Sequence, residues 1–205
     1  MKMVLEYEYL KSSLANIGKR PIPIIPYNPA KRETPKNLLE IKSSWKGIES
    51  ILADIIERFD LQTDRCLEFG VEYGYSTAAL SSFFDEVIGV DIFTGDVHTG
   101  THRDMYEDTV DRLKGLENIR LVRSDYRDWI KKNNSGFYDL IHVDIIHTYK
   151  HTFECGLWAA QHSQCAIFHD TESFRAVKFA VAEICRRTGK TFYNYTDSYG
   201  LGIIV

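Results

Sequence analysis

The chain lacks any apolar run of the roughly 18 residues needed to cross a bilayer. Its opening residues also lack the basic-then-apolar pattern of a secretory signal. The expectation from both absences is a soluble, cytoplasmic protein that uses no membrane. Cysteine is scarce: Cys66, Cys155, Cys165 and Cys185 stand alone, with no short paired spacing. That excludes a disulfide framework and a Cys-based zinc site, and thiols in apolar strand or helix patterns read as reduced core residues. Basic charge is not in excess, since 25 Lys and Arg against 29 Asp and Glu give a formal charge of −4. A dedicated nucleic-acid binder would carry the opposite sign. Proline is missing from most of the chain, and no internal repeat or low-complexity tract is evident.

What is present fits one domain with a sizeable core: 205 residues, 44% of them apolar. The five prolines, Pro21, Pro23, Pro26, Pro29 and Pro35, all fall in one stretch. Residues from about Lys19 to Pro35 therefore form an extended arm. Its Ile22, Ile24, Ile25 and Tyr27 are expected to pack on the body of the domain or on a partner subunit, so the arm also admits homo-oligomerisation. The division implied is an N-terminal extension over 1–36 and a folded domain over 37–205. Leu39, Ile41, Trp45, Ile48, Ile51, Leu52, Ile55 and Ile56 recur at helical spacing, predicting a helix from Asn37 to Phe59.

Beyond it, strand and helix alternate. Strands are predicted at Arg65–Phe69, Val87–Asp91, Ile119–Arg123, Tyr138–Asp144, Gln164–His169, Thr191–Tyr195 and Leu201–Val205. Helices are predicted at Ser76–Phe84, Asp104–Lys114, Tyr149–Gln161 and Phe174–Thr188. Such alternation implies an α/β fold: a seven-stranded, mostly parallel, Rossmann-like sheet with helices on both faces. The last two strands are joined by only Thr196 to Gly200, too short for a crossover, and so form an antiparallel hairpin.

The most informative segment is Cys66-Leu67-Glu68-Phe69-Gly70-Val71-Glu72-Tyr73-Gly74-Tyr75-Ser76-Thr77. It reads as an apolar strand, a glycine-punctuated turn and a helix start. A second apolar strand ends in Asp91, 21 positions beyond Gly70. A glycine loop after one strand and a carboxylate closing the next is an adenosine-binding arrangement. A dinucleotide loop needs glycine where Glu72 stands, and a carboxylate there repels a diphosphate. S-adenosylmethionine carries no phosphate but an ammonium and a sulfonium, so Glu72 would do it no harm and Glu68 would favour those cations.

On these residues the chain resembles the class I S-adenosylmethionine-dependent methyltransferases. Their Glu-x-Gly-x-x-x-Gly motif is matched by Glu68, Gly70 and Gly74, with Tyr75 and Ser76 beginning the helix that follows, and their ribose-binding acid by Asp91. The resemblance implies that Asp125, after the third predicted strand, lies near the adenine; the residue type equally suits a helix cap. The seven strands with a terminal hairpin also look like the sheet of that class.

A second constellation follows. One strand, Tyr138–Asp144, ends in a carboxylate with His147 three positions further on, and the next ends in His169-Asp170-Thr171. If the two strands are neighbours, their ends lie roughly 5 Å apart. Asp144, His169 and Asp170 could then converge on one divalent cation, Mg2+ or Mn2+. Asp144 as a helix cap and His169 as a buried hydrogen-bonded residue are the alternatives. The pattern is similar to metal-dependent small-molecule O-methyltransferases, the macrocin-type sugar O-methyltransferases and the cephalosporin-hydroxylase-like group, over roughly Arg65 to Thr171. That resemblance implies metal ligation by Asp144 and Asp170 and a catalytic base at His147. The chain departs from it with Ile145 in place of a glycine and Gln161-His162-Ser163 in place of a Pro-Gly-Gly turn.

The chemistry suits these residue types. The sulfonium already activates the methyl group, so the protein must position an acceptor oxygen and remove its proton. His142 reads as support for Asp144, and His151 and His162 as surface residues. The glycine-containing stretch from Phe93 to Arg103 reads as a loop beside the ribose, either a substrate lid or a plain surface loop. Tyr193, Tyr195 and Tyr199 read as sheet packing. The reading is therefore an O-methyltransferase acting on a small molecule, against two alternatives: a nicotinamide-dependent oxidoreductase, and a non-catalytic cofactor-binding protein acting in an assembly.

Overall fold

Short runs of β-branched and aromatic residues bounded by polar turns build one eight-stranded sheet. The computed structural model describes residues 21–95 and 103–205, together with 7, 10, 11, 13, 14 and 17–19. Its first strand lies inside the proline-rich arm, at Ile24–Pro26 (β1). A short 3-10 turn at Glu49–Ile51 leads into α1 (Leu52–Arg58). Then follow β2 (Arg65–Phe69), α2 (Tyr75–Leu80), β3 (Glu86–Asp91), α3 (Tyr106–Leu113) and β4 (Ile119–Arg123). After these come α4 (Tyr126–Lys132), β5 (Tyr138–Val143), α5 (Tyr149–Gln161) and β6 (Ser163–His169). The chain closes with α6 (Arg175–Thr188), β7 (Phe192–Tyr195) and β8 (Leu201–Ile204).

The strand order is β1-β7-β8-β6-β5-β2-β3-β4. Only β8 runs against its neighbours, β6 and β7. The seven predicted strands are all present, with boundaries within two residues. The arm adds an eighth, β1, paired in parallel with β7. Proline suits this position because an edge strand has one side whose N–H groups need no partner. α4 is absent from the predicted helices, although Asp125 does cap it, as its residue type allowed.

Side chains alternate across the sheet with period two. Leu67, Phe69, Ile141, Val143, Ala166 and Phe168 face a core shared with α4, α5 and α6. Cys66, Leu140, Cys165 and Ile167 face the opposite core, shared with Trp45, Ile48, α1 and α2. All four cysteines are buried and free.

The helix predicted from Asn37 to Phe59 is largely absent: residues 37–48 are irregular, and α-helix begins only at Leu52. Gly47 has φ +101°, incompatible with a continuing right-handed helix. The apolar spacing reflects burial all the same, since Trp45 and Ile48 are as fully buried as the helical Ile55. Tertiary packing of an irregular segment produced a helix-like pattern.

The arm is held to the body of this domain. Tyr27, 2% exposed, donates its hydroxyl to Asp54 Oδ2 at 2.5 Å. Asp54 Oδ1 accepts the amides of Ala30 and Lys31 at 3.0 and 3.2 Å, and Arg58 approaches Oδ2 at 3.1 Å. Burial alone would raise the Asp54 pKa, but these donors and the Arg58 charge outweigh it and depress it below 3.8. The linked stability is therefore complete above that value and is lost as pH falls through the lower folded-state pKa. Asp54→Ala should cost about 3 kcal/mol in denaturant melts near neutral pH. Its deficit relative to wild type should shrink in acid; a pH-independent deficit would contradict this account of Asp54.

Candidate active site

The strand order reverses at β2, which has β3 on one side and β5 on the other. In open α/β sheets the crevice outside the strands' carboxyl ends at such a point receives ligands. Two predicted site segments meet there. Gly70, just past β2, has φ +94°, and a Cβ on it would lie 1.7 Å from the Asp144 carbonyl oxygen. Its N–H donates to Val90 O at 3.0 Å, and the Asp144 N–H donates to Phe69 O at 2.8 Å. Only glycine fits here, because the two loops interlock backbone to backbone. Gly74 has φ +85° and immediately precedes α2, whose first residues Tyr75 and Ser76 line the crevice.

Asp91, at the end of β3, accepts the N–H groups of Val71 and Glu72 at 2.8 and 2.9 Å through Oδ2, and that of Phe93 at 2.7 Å through Oδ1. It therefore holds the glycine loop in shape while still lining the crevice. Asp125 caps α4, accepting from Arg127 N at 2.8 Å, and lines the same crevice. Glu68 does not line it. Strand alternation turns its fully buried side chain toward the Trp45 core. There Oε1 accepts from His142 Nδ1 at 2.9 Å and Oε2 from the Thr77 hydroxyl. Trp45 Nε1 can only donate, and it does so to His142 Nε2 at 3.1 Å. The proton of a neutral His142 therefore sits on Nδ1. His142 thus serves this network, not Asp144.

Asp144, His147, His169 and Asp170 form one cluster. β5 and β6 are neighbours, with Val143 paired to Phe168, so their ends deliver these residues side by side. His147 Nε2 lies 3.2 Å from Asp144 Oδ1 and 3.1 Å from Asp170 Oδ2. His169 Nδ1 lies 3.0 Å from Asp144 Oδ2 and 3.5 Å from Asp170 Oδ2. Asp170 has φ +64°, a conformation that costs energy in most residues and is commonest for Asn and Asp. Phe174 stacks on the His147 ring, centroids 4.3 Å apart and planes 15° from parallel.

Burial works against charge in this cluster, but pairing prevails. It would raise the Asp144 pKa, yet His169 and His147 hold it well below the usual carboxylate range. It would lower His147, yet Asp144 and Asp170 push it up to about 10. His169 is raised for the same reason. One ligand atom each from Asp144, His169 and Asp170 lies within 4.8 Å of the others, the spacing a single metal ion needs.

The crevice measures about 590 Å3. Part of its wall escaped the sequence reading: Ile41, Lys42, Ser43, Ser44 and Trp45 line it from the irregular segment taken for helix. Ser43-Ser44 just before a buried Trp was the available signal, masked by the apolar spacing around it. His151, expected at the surface, also lines the crevice, with Nδ1 2.5 Å from Arg127 Nη2. Tyr199 stands there 57% exposed instead of packing on the sheet, unlike the buried Tyr195. Ile145 is not among the residues with positive φ, so its backbone does not require glycine. Of the Phe93–Arg103 loop, residues 96–102 lie outside the described residues, while Gly95 lines the crevice. Among the described residues no helix is long and apolar enough to cross a membrane.

The strand order, the single antiparallel strand and the crevice at the reversal point define a class I methyltransferase fold. Residues 67–171 match the profile of a family described as a methyltransferase domain, and the chain belongs to that family. Solved structures agree on the fold. An O-methyltransferase from Bacillus cereus, in complex with S-adenosylhomocysteine, superimposes with TM-score 0.55 at 13% identity, over 98% of this chain and 90% of its own. A Staphylococcus aureus protein assigned as a caffeoyl-CoA O-methyltransferase gives TM-score 0.55 at 15% identity, over 82% of this chain and 85% of its own. A protein from Streptococcus mutans assigned as a methyltransferase, also with S-adenosylhomocysteine, gives 0.56 at 13% identity, over 80% and 98%. No curated protein sequence matches the chain.

Gly70→Ala should be among the most damaging single-methyl additions in this chain. Left-handed strain plus a backbone clash should cost roughly 3 kcal/mol or more, lowering Tm by about 6–12 °C. Wild-type melting by the variant would show that the two loops do not interlock as described.

Proposed function

We propose that this methyltransferase moves the methyl group of S-adenosylmethionine to a hydroxyl oxygen of a small molecule, with a divalent cation held by Asp144, His169 and Asp170. One observation carries the reading: a glycine cradle and a carboxylate–imidazole cluster open into the same crevice, joined through Gly70 and Asp144. The cradle suits this cofactor. Glu72, Asp91 and Asp125 line the crevice alongside it, a carboxylate-rich wall that favours a sulfonium and disfavours a diphosphate. Asp91 keeps acceptor capacity for a ribose hydroxyl beyond its three backbone bonds. Both adenosylhomocysteine-bound neighbours share this fold, and the O-methyltransferase names among them favour oxygen as the acceptor.

The cluster suits a cation on its donor chemistry: two carboxylates and an imidazole whose ligand atoms converge within 4.8 Å. When bound there, such an ion lowers the pKa of a ligated hydroxyl and, by its charge, that of His147. His147 sits within hydrogen-bond reach of both carboxylates and is fixed in plane by Phe174, which suits it to accept the acceptor's proton. Asp144 and Asp170 orient that imidazole. The walls at Ile41–Trp45 and Tyr199 bound the space left for the acceptor.

Calorimetry should show binding of S-adenosylmethionine and S-adenosylhomocysteine and none of NAD; tight NAD binding instead would point to an oxidoreductase. Turnover is best followed as S-adenosylhomocysteine released over a panel of small phenols, polyols and sugars. On an accepted substrate, EDTA or Asp144→Asn should abolish release. His147→Ala should slow it by roughly 10²- to 10⁴-fold with cofactor affinity little changed. Full activity in EDTA and in the Asp144 variant would remove the metal from the reading.

A further inference from the structure

The ligand set is not made of oxygen alone, and its one nitrogen is held with care. The His169 side chain is 2% exposed. Its Nε2 lies 3.3 Å from the carbonyl oxygen of Ser198, a group that can only accept. The hydrogen of that contact must sit on Nε2. In the neutral ring Nδ1 is then a bare lone pair, directed at Asp144 Oδ2 at 3.0 Å and Asp170 Oδ2 at 3.5 Å. A proton on Nδ1 can bridge the ring to Asp144, and a metal ion that takes its place meets one nitrogen and two carboxylate oxygens. A backbone carbonyl holding one ring nitrogen so that the other can ligate is a recurrent support for metal-binding histidines.

The surroundings fix that ring further. The Ser198 carbonyl is presented by a turn in which Ser198 and Tyr199 both have left-handed backbone, φ +51° and +67°. The Ser198 hydroxyl donates to Lys46 O at 2.8 Å, tying the turn to the crevice wall. The Tyr199 ring meets His169 edge-on, centroids 6.4 Å apart.

We infer that His169 makes this a mixed nitrogen–oxygen centre that selects a first-row transition-metal dication, such as Mn2+ or Co2+, over Mg2+. The inference rests on the metal-assisted reading above and sharpens it. Mg2+ is a hard ion that takes carboxylates and water and gains little from imidazole, whereas nitrogen donors strengthen binding from Mn2+ onward through the first row. Three protein ligands leave open positions for water or an acceptor oxygen.

The test needs no acceptor. Wild-type protein is titrated with Mn2+, Co2+ and Mg2+ by calorimetry, and the Mn2+-loaded protein is examined by electron spin-echo modulation for a directly bound nitrogen. Expected are a 14N coupling and binding that tightens from Mg2+ to Mn2+ to Co2+, the order that a nitrogen donor imposes. In His169→Asp, which supplies an all-oxygen set, the coupling should vanish and the preference over Mg2+ fall at least about tenfold. S-adenosylhomocysteine binding serves as the check that the variant is folded, and the wild-type spectrum stands even if it is not. Mn2+ bound without a 14N coupling, or an unchanged preference in folded His169→Asp, overturns the inference and leaves the metal reading intact. Failure of every ion to bind overturns both.

Discussion

The contact on which the site depends is between backbones: Gly70 against the carbonyl of Asp144, with no room for a Cβ between them. It locks the loop after β2 to the loop after β5, on either side of the line where the strand order reverses. The cradle that would receive a methyl donor and the acid that heads the carboxylate–imidazole cluster are therefore parts of one rigid junction. Methyl transfer needs donor and acceptor held in line. A junction too tight for one methyl group supports that alignment better than two flexible loops could.

A buried polar chain extends this rigidity to the opposite wall. Trp45 donates to His142, His142 donates to Glu68, and Thr77 donates to the second oxygen of Glu68. Every member is wholly or almost wholly buried. A satisfied network of this kind specifies one arrangement, since any slippage would leave an unpaired polar group in an apolar core. Its members come from the irregular wall segment, the strands at the reversal point and the start of α2. The wall at Ile41–Trp45 is thus pinned to the same two strands that carry the cradle and the cluster.

Much of this was legible in the sequence. Seven strands and the hairpin could be read because fully buried parallel strands are short apolar runs with sharp polar ends, and the glycines because their spacing reports a backbone requirement. Asp144, His169 and Asp170 could be grouped because each stands at the end of such a strand. Other features were not legible. The 37–48 segment has helical apolar spacing but buries those residues in irregular conformation, with Gly47 breaking any helix. Glu68 looked like a cofactor contact, since its place in a motif does not say which sheet face it occupies. His151 and Tyr199 looked like bystanders, because only the meeting of distant segments brings them to the crevice.

Local periodicity and glycine spacing, both properties of adjacent residues, are enough to determine the α/β class, the strands and the identity of the cradle loop. The direction of the Glu68 carboxylate, the Nε2 tether of His169 and the wall opposite the cluster are not local properties. They follow from contacts between residues up to about 150 positions apart, such as Ser198 and Lys46. A sequence reports such distances only after the sheet has brought their ends together.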